Sequence, residues 1–298
     1  TGTPIENRVE DLIGIFEFVS PGLLRSDQSV RSLADGAKDF ILRRTKDMVL
    51  RELPPKLFRD ADLELTAAQW ETYRHAEDAG VLRLNQMGDS LTIQHVFELV
   101  LRLKQICNFD PATGASAKVE RLLADLEEVF ASGQKAIIFS QWVDTLRRLT
   151  PLLTDYGPLE YHGRISHTQR AQTLERFRED PDRRVLLMSY GAGSVGLNLQ
   201  FCRYVFLFDR WWNPAVEDQA INRAHRIGVA GPVTVTRMLT RGTIEQRIDD
   251  VLTQKRELFN LVLSDTTRHP RDIGLSQDDI FGLFHLRGQS TVNLGRTG

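Results

Sequence analysis

The chain has 298 residues, 41% of them hydrophobic and 26% charged, the balance of an ordinary soluble globular protein of about two domains or one domain with insertions. A formal net charge of −2 excludes a polycationic nucleic-acid binder, so any such binding needs a local basic surface. Cys107 and Cys202 stand far apart with no CxxC or histidine-rich neighbour, which argues against a disulfide framework or zinc site and fits a reducing compartment.

Residues 5–19 carry Val9, Leu12, Ile13, Phe16 and Val19 at near-helical spacing, and Pro21-Gly22 ends that helix. Pro54-Pro55 breaks the chain after residues 40–46, and KLFRDADLEL from Lys56 alternates as a strand does. Residues 66–108 return to helix. Thr66 is a predicted N-cap with Gln69 completing a capping box, and a second helix follows over 91–107. Residues 111–117 are a turn-rich linker, and 67–115 as a whole is expected to be a helical insertion outside the core layers. From Ser116 the rhythm becomes helix (117–131), strand (136–139), helix (142–154), strand (159–161), helix (167–179) and strand (185–188). A glycine-rich loop, strand 204–208, helix 214–227 and strand 233–239 follow, and a long helix runs from 242 to about 263. A polar loop (264–275), a short helix (277–286) and a disordered tail close the chain.

Short apolar strands alternating with amphipathic helices predict an α/β fold with a parallel sheet covered on both faces. Ligands of such sheets sit at the carboxyl ends of the strands, and every candidate motif is expected there. No apolar run approaches the ~20 residues of a membrane span, and the amino terminus does not read as a signal peptide. Opening on Thr1-Gly2-Thr3-Pro4 without methionine is compatible with a fragment of a longer protein.

The stretch with the most chemistry is 209–228, DRWWNPAVEDQAINRAHRIG. Asn213 suits an N-cap, Pro214 the first helical position, and Gly228 the stop. On a helix over 214–227, Gln219, Arg223 and Arg226 share one face, and Val216, Ala220, Ala224 and Ile227 line the neighbouring core stripe. The arginines are then either a phosphate clamp or two solvated surface charges. Strand 185–188 runs into Ser189-Tyr190-Gly191-Ala192-Gly193, whose glycines allow close backbone approach to an anion or simply make a turn. No Gly-Lys-Ser or Gly-Lys-Thr occurs anywhere, and no acidic pair follows a strand as a Mg²⁺ ligand set. Ser140-Gln141-Trp142 and His162-Gly163-Arg164 end two further strands with groups that either donate to phosphate or cap the strand end. Trp211-Trp212 fits a core anchor, and His225 a hydrogen-bonding or solvent-facing histidine.

Taken together and in order, these stretches closely resemble the Swi/Snf family of DNA-dependent ATPases in helicase superfamily 2. Residues 1–7 resemble the third helicase motif. Residues 40–46, 53–56 and 101–108 resemble stretches between the lobes. Residues 136–142 resemble the fourth motif, 189–199 the fifth and 219–228 the sixth. The resemblance implies a RecA-like fold. Residues 1–53 would be the tail of a first ATPase lobe with its helical segment, 54–66 the strand entering a second lobe, and 67–115 a helical protrusion. Residues 116–263 would be the second lobe and 264–298 a carboxy-terminal brace and tail.

By the same resemblance Arg223 and Arg226 are arginine fingers toward ATP on the first lobe, and Gln219 couples that helix to it. Gly196 and Asn198 lie near the nucleotide. Ser140, Gln141, Trp142, His162, Gly163, Arg164, Ser189 and Gly193 lie on the DNA backbone, and Trp212 serves coupling. ATP and Mg²⁺ would be held mainly by the first lobe, with no metal site here, so this polypeptide alone is not expected to hydrolyse ATP. The implied partners are double-stranded DNA, the first lobe and a nucleoprotein target, with no membrane; the alternatives are an RNA-directed lobe and a non-catalytic binding module. The compact insertion points to a prokaryotic source and thus to cytoplasm or nucleoid; a eukaryotic source would make it nuclear. The chain departs from the family pattern at three places: Phe109-Asp110 stands where His-Pro is usual, Arg210 where proline is common, and Val229 where glutamine follows Arg-Ile-Gly.

Overall fold

Ala136–Ser140 and Val185–Ser189 have no polar face to give to water, and both strands are buried at every position. In the computed structural model, which describes residues 9–28, 30–37, 40, 53–194, 197–262 and 277–286, they form the centre of a parallel sheet. Among the described residues the strands are β1 (Lys56–Leu63), β2 (Ala136–Ser140), β3 (Leu159–Tyr161), β4 (Val185–Ser189), β5 (Tyr204–Leu207) and β6 (Val233–Thr240). Their order is β1-β6-β5-β2-β4-β3, and every neighbouring pair is parallel. The helices are α1 (Val9–Val19), α2 (Val30–Ala37), α3 (Ala67–Gln86), α4 (Ile93–Asn108) and α5 (Ala117–Ala131). They continue with α6 (Val143–Leu152), α7 (His167–Glu179), α8 (Pro214–Ile221), α9 (Ile244–Val262) and α10 (Gln277–Gly282).

Alternation along each strand sends its residues to two separate cores. On one face Ile137, Phe139, Leu186, Met188, Val205 and Leu207 meet Phe177 of α7 and Ala220 and Ile221 of α8. On the other, Ile138, Leu187, Phe206 and Met238 meet Leu122 and Leu126 of α5 and Leu146 and Leu149 of α6. The sheet is therefore covered on both faces, as expected.

The insertion packs differently. Tyr73, Ala76, Val96, Val100 and Leu103 of α3 and α4 form a core with Ile244, Ile248 and Leu252 of α9 and Ile280 and Phe281 of α10. The capping box at Thr66 and Gln69 is present. Gln69 does more than cap: its amide donates to Ile106 O at 2.8 Å and accepts from Ala117 N at 2.9 Å, stitching α3 to the start of α5. Helices α1 and α2 close over a small core of Phe16, Leu24, Leu33 and Ala37. The stretches 1–8, 41–52, 263–276 and 287–298, with residues 195 and 196, lie outside the described residues.

The departure at 109–110 has a structural reason. Phe109 is buried against Phe208, with the Arg148 guanidinium 4.2 Å above its ring. Asp110 accepts from Thr72 Oγ1 at 2.6 Å and from both Thr113 N and Oγ1 at 2.7 Å, closing the linker that leads into α5. The Thr72 bond, opposed by desolvation and supported by the Thr113 bonds, lowers its pKa.

At Gly157 the chain turns with φ 57°, and a Cβ there would run into the carbonyl oxygen of Asp182. Gly157→Ala is expected to cost about 1–3 kcal/mol, because both the left-handed backbone and a rigid neighbour oppose it. Urea unfolding measures this, with a lowered midpoint at unchanged slope.

Candidate functional site

Two residues past the end of β5 lies Asp209, a carboxylate with no exposed surface. Burying it is costly unless its oxygens are satisfied, and two other chain segments converge to do so. Ser140 Oγ and Asn108 Nδ2 (3.1 Å) donate to Oδ2, and Gln141 N (2.9 Å) donates to Oδ1. The Tyr190 hydroxyl donates to the Asp209 carbonyl at 2.8 Å. Loops after β2, β4 and β5 are thus tied to one residue. Burial raises the pKa of Asp209, opposed by the charges of Lys104 and Lys118.

Lys104 comes from the helical insertion and Lys118 from α5, which follows it, and both are buried. Lys104 of α4 donates to Arg210 O at 2.7 Å and lies 4.4 Å from the Trp212 ring and 5.6 Å from Trp142. Desolvation lowers its pKa. Lys118 of α5 pairs with Glu245 of α9 at 2.6 Å and donates to Asn108 Oδ1 at 3.0 Å. Glu245 in turn accepts from Thr240 N and Oγ1 at the end of β6. Trp212 packs on Phe97 of α4, ring centroids 4.6 Å apart, so it anchors the tryptophan turn to the insertion.

Asn213 caps α8 through Ala215 N at 3.0 Å with Pro214 in the first turn, as expected. The helix then stops at Ile221, six residues earlier than the spacing predicts. Arg223 N bonds Ala220 O and Arg226 N bonds Ala224 O, tight turns in place of helix. Two contacts explain the stop: Leu199 N donates to Arg223 O at 3.0 Å, and the His225 ring bonds Pro54 O at 2.6 Å. Those partners draw the chain off the helix path. The core stripe changes accordingly, with Ile221 buried and Ile227 71% exposed.

A second correction concerns position. Because α8 runs from the carboxyl end of β5 back toward the start of β6, the arginine turn lies toward the amino ends of the strands. Its contacts confirm this, since Leu199 precedes β5 and Pro54 precedes β1. The sheet therefore separates two candidate regions by about one strand length, ~15 Å. At the amino end, Arg223 is 7% exposed and Arg226 partly exposed, its Nε bonded to Asn222 O at 3.2 Å. Burial, and then the charge of Arg226, lowers the pKa of Arg223. Gln219 is half-buried on α8, and Asn198 is exposed next to Leu199. Gly196 lies outside the described residues.

At the carboxyl end, Gln141 and Trp142 are half-buried, Gly163 and Arg164 exposed, and Ser189 nearly buried. Gly193 lies in a short 3₁₀ segment, Tyr190–Ser194. The Ser140 hydroxyl is committed to Asp209, and His162 is buried between Glu160 Oε2 (2.9 Å) and Arg164 N (3.2 Å). Arg164 pairs with Asp144 at 2.7 Å. The 162–164 loop belongs to edge strand β3, on the far side of β2 and β4 from the arginine turn. Lys104 and Asp209 fall within the 101–108 and 209–228 stretches, yet sequence reasoning gives no role to them or to Lys118 and Glu245. Arg210 is noticed there only as a departure, yet it is a buried hub: Nε bonds Glu217 at 2.8 Å and Nη1 bonds Asp249 at 2.9 Å.

Residues 1–112 match the family model described as the SNF2-related domain, and residues 117–228 the helicase conserved C-terminal domain. The chain belongs to the SNF2 family. The boundary between the two SNF2 matches falls in the Asp110-capped linker before α5. An uncharacterized ATP-dependent helicase of Mycoplasma pneumoniae is 36% identical over 88% of this chain and 27% of its own length. The SWI2/SNF2 ATPase core of Sulfolobus solfataricus in complex with double-stranded DNA is similar at 31% identity and TM-score 0.60, covering 97% of this chain and 66% of that one. The C-terminal domain of the Sulfolobus ATPase, covered in full, matches 78% of this chain at 25% identity and TM-score 0.60. The chain spans roughly a quarter to a third of the curated SNF2 relatives it matches, 27% to 32% of the first three. No helix among the described residues is long and apolar enough to cross a membrane.

Proposed function

We propose that this chain supplies the second motor lobe of an ATP-dependent double-stranded-DNA translocase or nucleoprotein remodeller. In this reading 54–66 and 116–263 are that lobe, 67–115 its protrusion, 264–298 a brace and tail, and 1–53 the end of the first lobe. The observation that carries it is the Leu199–Arg223 hydrogen bond, which ties the glycine-rich loop to a turn holding two arginines side by side, one nearly buried. Like charges so placed suit a polyanion, and the guanidinium fork matches phosphate oxygens.

Arg223 and Arg226 act as the fingers that meet ATP on the first lobe, and Gln219 holds α8 against that lobe. Asn198 and Gly196 lie beside the nucleotide. Mg²⁺ neutralises phosphate charge when bound, and in this reading the first lobe holds it; Glu217, a buried acid on α8, is already taken by Arg210 and Trp211 N. The carboxyl-end loops meet the DNA backbone through Gln141, Trp142, Gly163, Arg164, Ser189 and Gly193. Ser140 and His162 hold those loops in place, and Trp212 carries loop movement to the protrusion. Phosphate contacts fix register without reading sequence.

Duplex DNA binding by this chain is expected to weaken by about tenfold or more between ~50 and ~200 mM salt. Fluorescence anisotropy with a labelled duplex measures it, and an affinity indifferent to salt would overturn the phosphate-tracking surface. In the full-length protein, stronger ATPase stimulation by RNA than by duplex DNA would replace the reading with an RNA-directed lobe.

A further inference from the structure

We propose that Arg210 is a positioning residue that locks α8 to α9 and so sets the angle at which Arg223 and Arg226 meet phosphate. The proposal rests on the arginine-finger reading above and goes beyond it, because the family resemblance leads to proline at this position, which has neither N–H nor side-chain donor.

Arg210 is 8% exposed, and its guanidinium spans two helices. Nε donates to Glu217 Oε1 in the first turn of α8, at 2.8 Å, and Nη1 donates to Asp249 Oδ1 on α9, at 2.9 Å. The same Glu217 oxygen accepts Trp211 N at 2.8 Å. The Arg210 carbonyl is held by Lys104 of α4. One residue therefore joins α4, α8 and α9. A planar fork holds the two carboxylates through two separate nitrogens in fixed relative geometry, whereas an ammonium has one nitrogen that would have to reach both. In this proposal the buried pair fixes geometry, because the desolvation of its charges offsets much of their attraction.

The geometry they fix is that of the arginine turn. α8 has eight residues, buries Ala220 and Ile221 on the sheet, and delivers Arg223 two residues past its end. With Glu217 held by Arg210, the start of this short helix cannot rotate without breaking a buried charge pair. Asp249, 33% exposed, makes α9 part of the same unit.

The test uses the full-length protein with Arg210→Gln, Arg210→Lys and Asp249→Asn, beside Arg223→Ala. Arg210→Gln and Asp249→Asn are each expected to lower DNA-stimulated kcat by about 10- to 100-fold, the scale of a small misplacement of a catalytic group. KM for ATP and duplex affinity are expected to stay within about twofold, because transition-state contacts act on kcat. Arg210→Lys is expected to fail to rescue. Asp249→Asn removes only the charge of a one-third-exposed partner and keeps the test decisive if Arg210→Gln does not fold. Wild-type kcat in Asp249→Asn and in any folded Arg210 variant, with Arg223→Ala inactive, would overturn the positioning role alone. Wild-type kcat in Arg223→Ala would overturn the underlying reading.

Discussion

Arg223→Ala in the full-length protein is expected to lower DNA-stimulated ATP turnover by roughly 10³-fold or more, and Arg226→Ala to act in the same direction. Duplex affinity is expected to stay near wild type for both. The reason for the split is positional: the arginine turn lies at the amino ends of the strands, and the loops proposed to contact DNA phosphate lie at their carboxyl ends. Arg223→Lys keeps the charge and loses the fork, so it recovers only part of the rate. Steady-state ATPase assays with saturating duplex, paired with anisotropy, measure both halves. Near-normal turnover by both alanine variants would overturn the finger assignment.

Lys118→Ala is expected to be among the most damaging substitutions to stability. It strips the counter-charge from Glu245, which is 2% exposed, and leaves Asn108 Oδ1 without its donor. Breaking a buried pair from one side costs about 3–5 kcal/mol. Asn108 also bonds Asp209, so the damage reaches the loops after β2 and β5. A surface control, Arg25→Ala in a pair that is largely exposed, is expected to change stability by less than about 1 kcal/mol. Chemical unfolding of the two variants side by side gives the comparison, and equal midpoints would show that the buried network does not hold the fold.

The strands and most helices were legible because each leaves a local trace. Four buried apolar residues in a row mark β2 and β4, and Thr66-Gln69 and Asn213-Pro214 mark helix starts. Helix α8 was read six residues too long because Ala220, Ala224 and Ile227 continue helical spacing in the sequence. What stops it is tertiary: Leu199 on the Arg223 carbonyl and Pro54 under His225, the latter 171 residues away. The error hid the separation of the two regions, since a longer helix left the arginines no distinct end of the sheet. The network around Asp209 left no trace at all, because Lys118 and Glu245 meet across 127 residues. A lysine reads as surface until its partner is known.

The shortness of α8 has a mechanical meaning. Two turns of helix make a rod about 12 Å long, too short to bend. One end is set in the tryptophan turn, among the groups that hold the carboxyl-end loops; the other carries the arginines. A tilt of about 10° at the first end swings the second by about 2 Å, enough to make or break a hydrogen bond. The helix thus has the proportions of a lever arm, with Arg210 bonded to its fixed end.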